Sequence, residues 1–284
     1  MQTRREFLTG TVAGLTTATL SPMALAANSA PVLGAELYTV RKPIQKDLPN
    51  TLAAVRKIGY RTVEAYGDLY KMSAADLRKA ILDAGLSVPS GHFGYEDFDT
   101  RFDYAKELGL RYMICSSVPE SLGNSADGFK RAADQYEAWG KKAQQMGMQF
   151  GFHNHNTEFQ SYGGMTGIEI LLKNTDPHLV QWQMDCYWVA EAGQSPAAML
   201  LKYPGRITTL HLKDRKAGVP VSVEPGPQSA HFTEVGTGTL NWKKILPLAK
   251  KEGVRYMFVE QDITELPPLQ SLKISYDNIQ KLLQ

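Results

Sequence analysis

The chain has 284 residues, with 31 Lys+Arg against 29 Asp+Glu and 43% hydrophobic content. That apolar share excludes intrinsic disorder as the main state, and a formal charge of +2 excludes a dedicated nucleic-acid binder, which needs a basic excess to neutralise phosphates. Two cysteines cannot build a disulfide framework, and no run of about 18 consecutive apolar residues offers a membrane-spanning helix.

Residues 1–26 read as an address rather than as part of the fold. Thr3-Arg4-Arg5-Glu6-Phe7-Leu8 is followed by a weakly apolar stretch rich in Gly, Ala and Thr, and Ala24-Leu25-Ala26 offers small residues at a cleavage site. The segment resembles a twin-arginine export signal, which implies the twin-arginine export machinery as a partner and a periplasmic or otherwise exported location. Without Arg4, Arg5 and Glu6, the remaining residues 27–284 number 258 and carry 29 basic and 28 acidic side chains, a charge of +1. Cys115 and Cys186 both lie in apolar runs, so buried, reduced thiols are expected.

Five times a helical pattern closes on a glycine, then one apolar residue, then a strand-like run. The junctions are Gly59-Tyr60, Gly85-Leu86, Gly109-Leu110, Gly147-Met148 and Gly253-Val254; glycine suits the left-handed position that ends a helix. The predicted strands in chain order are Val32 to Val40, Thr62 to Ala65, Ser87 to Ser90, Arg111 to Cys115, Gln149 to His153, Val180 to Cys186, Ile207 to Leu212 and Arg255 to Glu260. Strands alternating with helices imply parallel pairing through crossovers. Eight such units in about 250 residues predict a single-domain α/β fold over 27–284, the (β/α)8 TIM barrel. An open doubly wound sheet would call for a Gly-rich phosphate loop after the first strand, where Leu37-Tyr38-Thr39-Val40-Arg41 stands instead.

Active sites of such barrels sit at the C-terminal strand ends, so the residues ending each run are the candidates. They are Glu64 on strand 2, His92 on strand 3, the His153-Asn154-His155-Asn156-Thr157-Glu158 run on strand 5, Asp185 on strand 6, His211 to Asp214 on strand 7 and Glu260 on strand 8. Glu158, Asp185, His211 and Glu260 make an oxygen-rich ligand set for one divalent ion, Mn²⁺ first, with Mg²⁺, Co²⁺, Fe²⁺ or Zn²⁺ as alternatives. His153 or His155, spaced i and i+2, could replace Glu158.

His153-Asn154-His155 with Glu158-Phe159, Met184-Asp185, His211-Leu212-Lys213-Asp214, Val259-Glu260 and the Gly236-x-Gly238-x-x-x-Trp242 segment together resemble the sugar phosphate isomerase/epimerase superfamily, the xylose isomerase-like TIM barrels. The resemblance covers residues 32–282 and implies a divalent metal held at the ends of strands 5 to 8. It leaves the reaction open among isomerisation, epimerisation, dehydration and cleavage of sugar-like substrates. Many epimerases of that superfamily carry a Glu directly on strand 5, where this chain has His-Asn-His.

The expected activity is metal-dependent isomerisation or epimerisation of a non-phosphorylated sugar or keto-glycoside, by proton abstraction next to a carbonyl through an enediolate. The alternative is elimination from, or hydration of, a 3-keto-glycoside or its enone. Glu158 and Glu260 could bridge metal and substrate, and His153 and His155 are the candidate proton movers, because an ordinary imidazole titrates near neutral pH. Lys213 could stabilise an oxyanion or pair with Asp214 or Glu234. Glu64 and His92 would bind hydroxyls, Tyr38 and Trp188 would face sugar C–H surfaces, and Glu234 is a further candidate substrate contact. Competing classes are an endonuclease IV-like phosphodiesterase, disfavoured by six histidines in all and the near-zero charge, and a non-catalytic sugar-binding barrel. Stable membrane insertion is not expected, and self-association is left open.

Overall fold

The computed structural model describes residues 30–225 and 231–284. The Arg4-Arg5 motif and the rest of segment 1–26 lie outside the described residues. The five predicted helix-closing glycines all have positive φ, from 72° at Gly85 to 135° at Gly59, a conformation that costs little only without a Cβ.

The units are β1 (Val32–Glu36), α1 (Leu48–Ile58), β2 (Thr62–Ala65), α2 (Ala74–Asp83), β3 (Ser87–Phe93), α3 (Phe102–Leu108), β4 (Tyr112–Cys115), α4 (Ala126–Gln145), β5 (Gln149–His153), α5 (Gly167–Lys173), β6 (Val180–Asp185), α6 (Pro196–Lys202), β7 (Ile207–Leu212), α7 (Trp242–Lys251), β8 (Tyr256–Val259) and α8 (Pro268–Leu282). The eight strands pair in parallel in chain order, and β8 closes on β1. Helix starts follow capping chemistry: Asp47, Ser73, Ser125, Ser195 and Asn241 each accept a backbone N–H of the first turn, and Thr166 forms a reciprocal capping box with Glu169. Among the described residues no helix is long and apolar enough to cross a membrane.

Four strand ends differ from expectation, and one of them is β8, which stops at Val259 rather than Glu260. β1 stops at Glu36 because Leu37–Val40 forms a 3-10 turn that buries Leu37, Thr39 and Val40. β3 continues to Phe93, pairing with β4 as far as Cys115. β6 stops at Asp185, whose carboxylate caps the short helix Cys186–Glu191 by accepting the Trp188 N–H at 3.0 Å.

The barrel interior changes character along its axis. At the N-terminal end the rings of Tyr112 and Tyr256 meet across the barrel, 5.9 Å between centroids. Above them Phe258 fills the space left by Gly34, where a side chain would collide with it. Toward the other rim come His92, His153 and His211 among the buried carboxylates of Glu36, Glu64, Asp185 and Glu260. Outside the sheet, α4 packs Tyr136 and Trp139 against Phe98, Phe150 and Phe152; burying each large ring contributes about 1.5–3 kcal/mol. Cys115 and Cys186 are free and buried.

One side chain organises the Gly236-to-Trp242 segment. Asp214 accepts the backbone N–H groups of Gly236 (2.9 Å), Gly238 (3.1 Å) and Leu240 (3.0 Å) and the Trp242 indole N–H (2.7 Å). A Cβ at Gly238 would strike the Asp214 carboxylate and the Arg215 carbonyl. Asp214 is thus a structural acceptor and not a partner of Lys213. Asp214→Ala is expected to cost about 3–5 kcal/mol by stranding buried donors, read as a lower denaturant midpoint. Asp214→Asn, which keeps one acceptor oxygen, should lose less, and equal stability of both variants with the parent would refute the role.

Candidate active site

Strand register brings the polar residues together. Glu36 pairs with Glu64 across β1 and β2, Glu64 with Ser90, His153 with Gln183, and Asp185 with His211. One ligand atom from each of Asp185, His211 and Glu260 lies within 4.8 Å of the others, as do those of His92, His153 and His211. All are buried or nearly so.

Supporting groups fix which atom each residue presents. Gln183 Oε1 accepts from His153 Nδ1 (3.1 Å) and from His92 Nε2 (2.5 Å), and its amide donates to Glu64 Oε1 (2.8 Å). His153 therefore turns Nε2 toward Asp185 Oδ2, 3.7 Å away. His211 is held by Glu64 Oε2 at Nε2 (2.5 Å), which leaves Nδ1 facing Glu260 Oε2 (2.8 Å) and Asp185 Oδ2 (3.9 Å). Asn154 Oδ1 accepts from both the Trp182 indole and the Asp185 backbone N–H, at 2.9 Å each, and so ties the exits of β5 and β6 together. Ser90 Oγ donates to Glu64.

Charge follows from this packing. Burial alone would raise Glu64, but His92 and His211 pull it to about 2. Burial opposes protonation of His211, yet Glu260 and Glu64 push its pKa well above the ordinary value. Lys213, fully buried, is likewise raised against the cost of burial by Asp185 (2.9 Å), Asp262 (2.6 Å) and Glu260 (2.5 Å). Burial raises Asp185 and, with Glu64 and Glu260 beside it, raises Glu36 well above the carboxylate range. Burial and three neighbouring histidines hold His153 neutral.

The donor set fits a divalent ion. Among the described residues, Asp185 Oδ2 makes no well-directed hydrogen bond beyond its 2.9 Å ion pair with Lys213; His211 and Glu260 each bring a ligand atom to Asp185, and the neutral His153 Nε2 lies 3.7 Å from its Oδ2. Two imidazoles and two carboxylates on rigid strand ends, each imidazole oriented through its other nitrogen, are the arrangement that metal sites use.

Glu158 is not brought to this cluster. It sits in the turn Thr157–Phe159, where its Oε2 accepts the His155 backbone N–H (2.9 Å) and the Thr157 hydroxyl (3.2 Å). His153 occupies the strand-5 position instead. Glu64 does not reach the cavity either; it is fully buried and orients His211. Lys213 lines no cavity and serves as the countercharge to three carboxylates. Glu234 shapes the turn to Thr237 by its carbonyl. His92, Tyr38, His155 and Trp188 do reach cavity walls. Sequence patterning does not single out Glu36 and Tyr66, yet both line the inner cavity, and among the described residues Glu36 Oε2 and Tyr66 Oη have no hydrogen-bond partner. Ending strand 1 in register with Glu64 would have revealed Glu36.

Two cavities open at this rim. The inner one, about 450 Å³, is polar, with Glu36, His92, His153, Glu260 and Asp262 in its wall. The outer one, about 620 Å³, adjoins it. Both volumes fall in the range of about 300–1,000 Å³ usual for small-molecule sites.

The family described as xylose isomerase-like TIM barrel matches residues 52–281. The chain belongs to the xylose isomerase-like TIM barrel family. It is an enzyme of this sugar isomerase/epimerase-like superfamily. An inosose dehydratase of Clostridium beijerinckii is 28% identical over 240 residues, covering 72% of this chain and 79% of the relative. A sugar phosphate isomerase/epimerase of Parabacteroides distasonis superposes with a TM-score of 0.73 at 25% identity, covering 94% of this chain and 98% of that one. The IOLI protein, solved with a bound zinc atom, shares the barrel fold at 14% identity and a TM-score of 0.68, covering 89% and 98%.

The Glu64 pair gives this xylose isomerase-like barrel a defined acid limit. A depressed carboxylate pKa stabilises above the unfolded value, here 4.5, and the contribution is lost as pH falls toward 2. Metal-free protein should lose on the order of 3 kcal/mol through this group over that window, measured as denaturant midpoints between pH 6 and 2.5. Glu64→Gln should flatten the slope, and an unchanged slope would contradict the assignment.

Proposed function

We propose that this protein is a divalent-metal-dependent lyase acting on a ring keto-sugar, removing a proton next to the carbonyl and expelling the oxygen substituent one carbon further on. The observation that carries this reading is His153 in the strand-5 position. With an imidazole there and Glu158 folded away, Glu260 is the one carboxylate of the metal-ligand quartet that both lines the inner cavity and can act as a base. Epimerisation through two metal-ligating carboxylates, one on each face of the ring, lacks its second member, because Asp185 does not line the inner cavity. The inosose dehydratase relatives support the same outcome, loss of an oxygen substituent rather than return of the proton.

His153, Asp185, His211 and Glu260 would hold the ion. When bound, it supplies Lewis acidity that stabilises negative charge growing on the carbonyl oxygen. Mn²⁺ remains a candidate, and the second imidazole adds Zn²⁺ and Fe²⁺ to the range. Glu260 takes the proton from the carbon beside the carbonyl. His155, in the wall of both cavities, delivers a proton to the departing oxygen. The C–H and C–O bonds break, a C=C bond forms, and the products are an enone and water or an alcohol, with no redox partner. Glu36, protonated by its surroundings, and Tyr66 would donate to ring hydroxyls through their unpartnered oxygens. His92 and Tyr38 complete the inner wall.

The test is incubation of metal-loaded protein with methyl 3-keto-β-glucoside in D₂O. The expected result is release of methanol and an enone absorbance. Recovered substrate carrying deuterium, without enone, would make the enzyme an epimerase. Glu260→Gln should lower kcat about 10²–10⁴-fold. Absence of divalent metal in purified protein, together with no change in Tm on adding Mn²⁺ or Zn²⁺, would defeat the metal assignment.

Export through the twin-arginine route is part of the same proposal. Arg4→Lys with Arg5→Lys should retain the protein in the cytoplasmic fraction, and unchanged export would favour another route.

A further inference from the structure

We infer that the outer cavity is an aglycone subsite, and that the substrate is a glycoside whose departing group is an aromatic alcohol. This rests on the lyase reading above. The two cavities share Tyr38, Ser117, His155 and Asp262, which form a neck between them. The inner chamber is walled by carboxylates and imidazoles and suits a hydroxyl-rich ring. The outer chamber is larger; beside polar groups such as Glu120 and Gln160, its wall carries an apolar patch of Val118, Phe129, Trp188, Phe232 and Ile263.

Its apolar wall is preformed. Trp188 and Phe232 meet edge to face, 5.6 Å between centroids at 90°, and both are at least nine-tenths buried. The Trp188 ring also lies 5.3 Å from the His155 ring, so the apolar surface begins at the proton donor itself. Tyr38 is fixed at the neck by Arg41, whose guanidinium stacks 3.9 Å from the ring centroid while it donates to the Tyr38 and Asp262 carbonyls (2.8 and 2.7 Å). A ring in the inner chamber with its leaving oxygen at His155 must direct the departing group through this neck. A group with flat, apolar faces matches what it meets there. The bond broken is the one between the sugar carbon and the aglycone oxygen, and that oxygen leaves with a proton as a phenol.

Two measurements on metal-loaded, full-length protein separate this inference from the functional reading. The first is isothermal titration with non-reacting methyl and phenyl β-glucosides and methyl β-cellobioside. The second is KM for methyl and phenyl 3-keto-β-glucosides. Burial of the aryl ring should favour phenyl over methyl by about tenfold or more in both. Ile263→Ser, at an exposed position, and Phe232→Leu should each narrow the ratio to about threefold or less. Turnover of both ketones with equal KM, and equal binding of the glucosides, would overturn the subsite and leave the lyase reading standing. A phenyl preference without turnover of either ketone would uphold the subsite and reject the reaction. Tighter binding of the cellobioside than of the phenyl glucoside would make the occupant a second sugar ring and overturn the aromatic assignment.

Discussion

Charge compensation inside a water-poor barrel mouth is the constraint on which the site depends. Glu36, Glu64, Asp185 and Glu260 are each exposed by 5% or less, and an isolated buried carboxylate costs several kcal/mol. Apart from His92 beside Glu64, the compensating charge comes from one strand end. His211 and Lys213 alternate on the same face of the β7 exit, so the cation on each is delivered among the carboxylates by backbone geometry alone. Glu36 is the exception that shows the rule: with no cation left for it, it is held in the neutral acid form.

The amides finish what the charges begin. Gln183 chooses the tautomer of His153 and tethers Glu64, and Asn154 joins two strand exits through one oxygen. Neither group is charged or reactive. Each removes a rotational choice from a residue that is, and pre-arranged donors are what let a site stabilise developing charge without reorganising. Neither support lines the inner or the outer cavity, so the walls facing a ligand are free to differ in character between the two chambers.

Much of this was legible in the sequence, for identifiable reasons. Helix-closing glycines signal backbone conformation directly, so the eightfold alternation could be read. Asp185, His211 and Glu260 could be read because packing alone seldom calls for an ionisable side chain where an apolar strand ends. Glu36 was hidden because the apolar run continues past it through Leu37 and Val40, and only the 3-10 turn shows that the strand has stopped. Glu158 misled because a carboxylate near a strand end looks like a ligand, whereas a single turn folds it back onto the His155 amide. Gln183 and Asn154 carry no charge to attract notice. The outer chamber draws its wall from segments near positions 40, 120, 155, 188, 232 and 263, and proximity of that kind exists only once the barrel is closed.

Lys213 and Asp214 are consecutive, and they serve opposite ends. One is locked among carboxylates, and the other gathers the amides of Gly236, Gly238 and Leu240. The two-residue strands Asp214–Arg215 and Phe232–Thr233 pair directly beside this point. The described chain after Arg215 is tied down in turn: Arg215 donates to the Val219 and Pro220 carbonyls, and Asn156 and Gln160 donate to those of Ser222, Glu224 and Val223. A change at residues 219–224 is therefore felt in the loop that carries His155 as well as at Arg215, so this part of the rim can vary only in step with its neighbours.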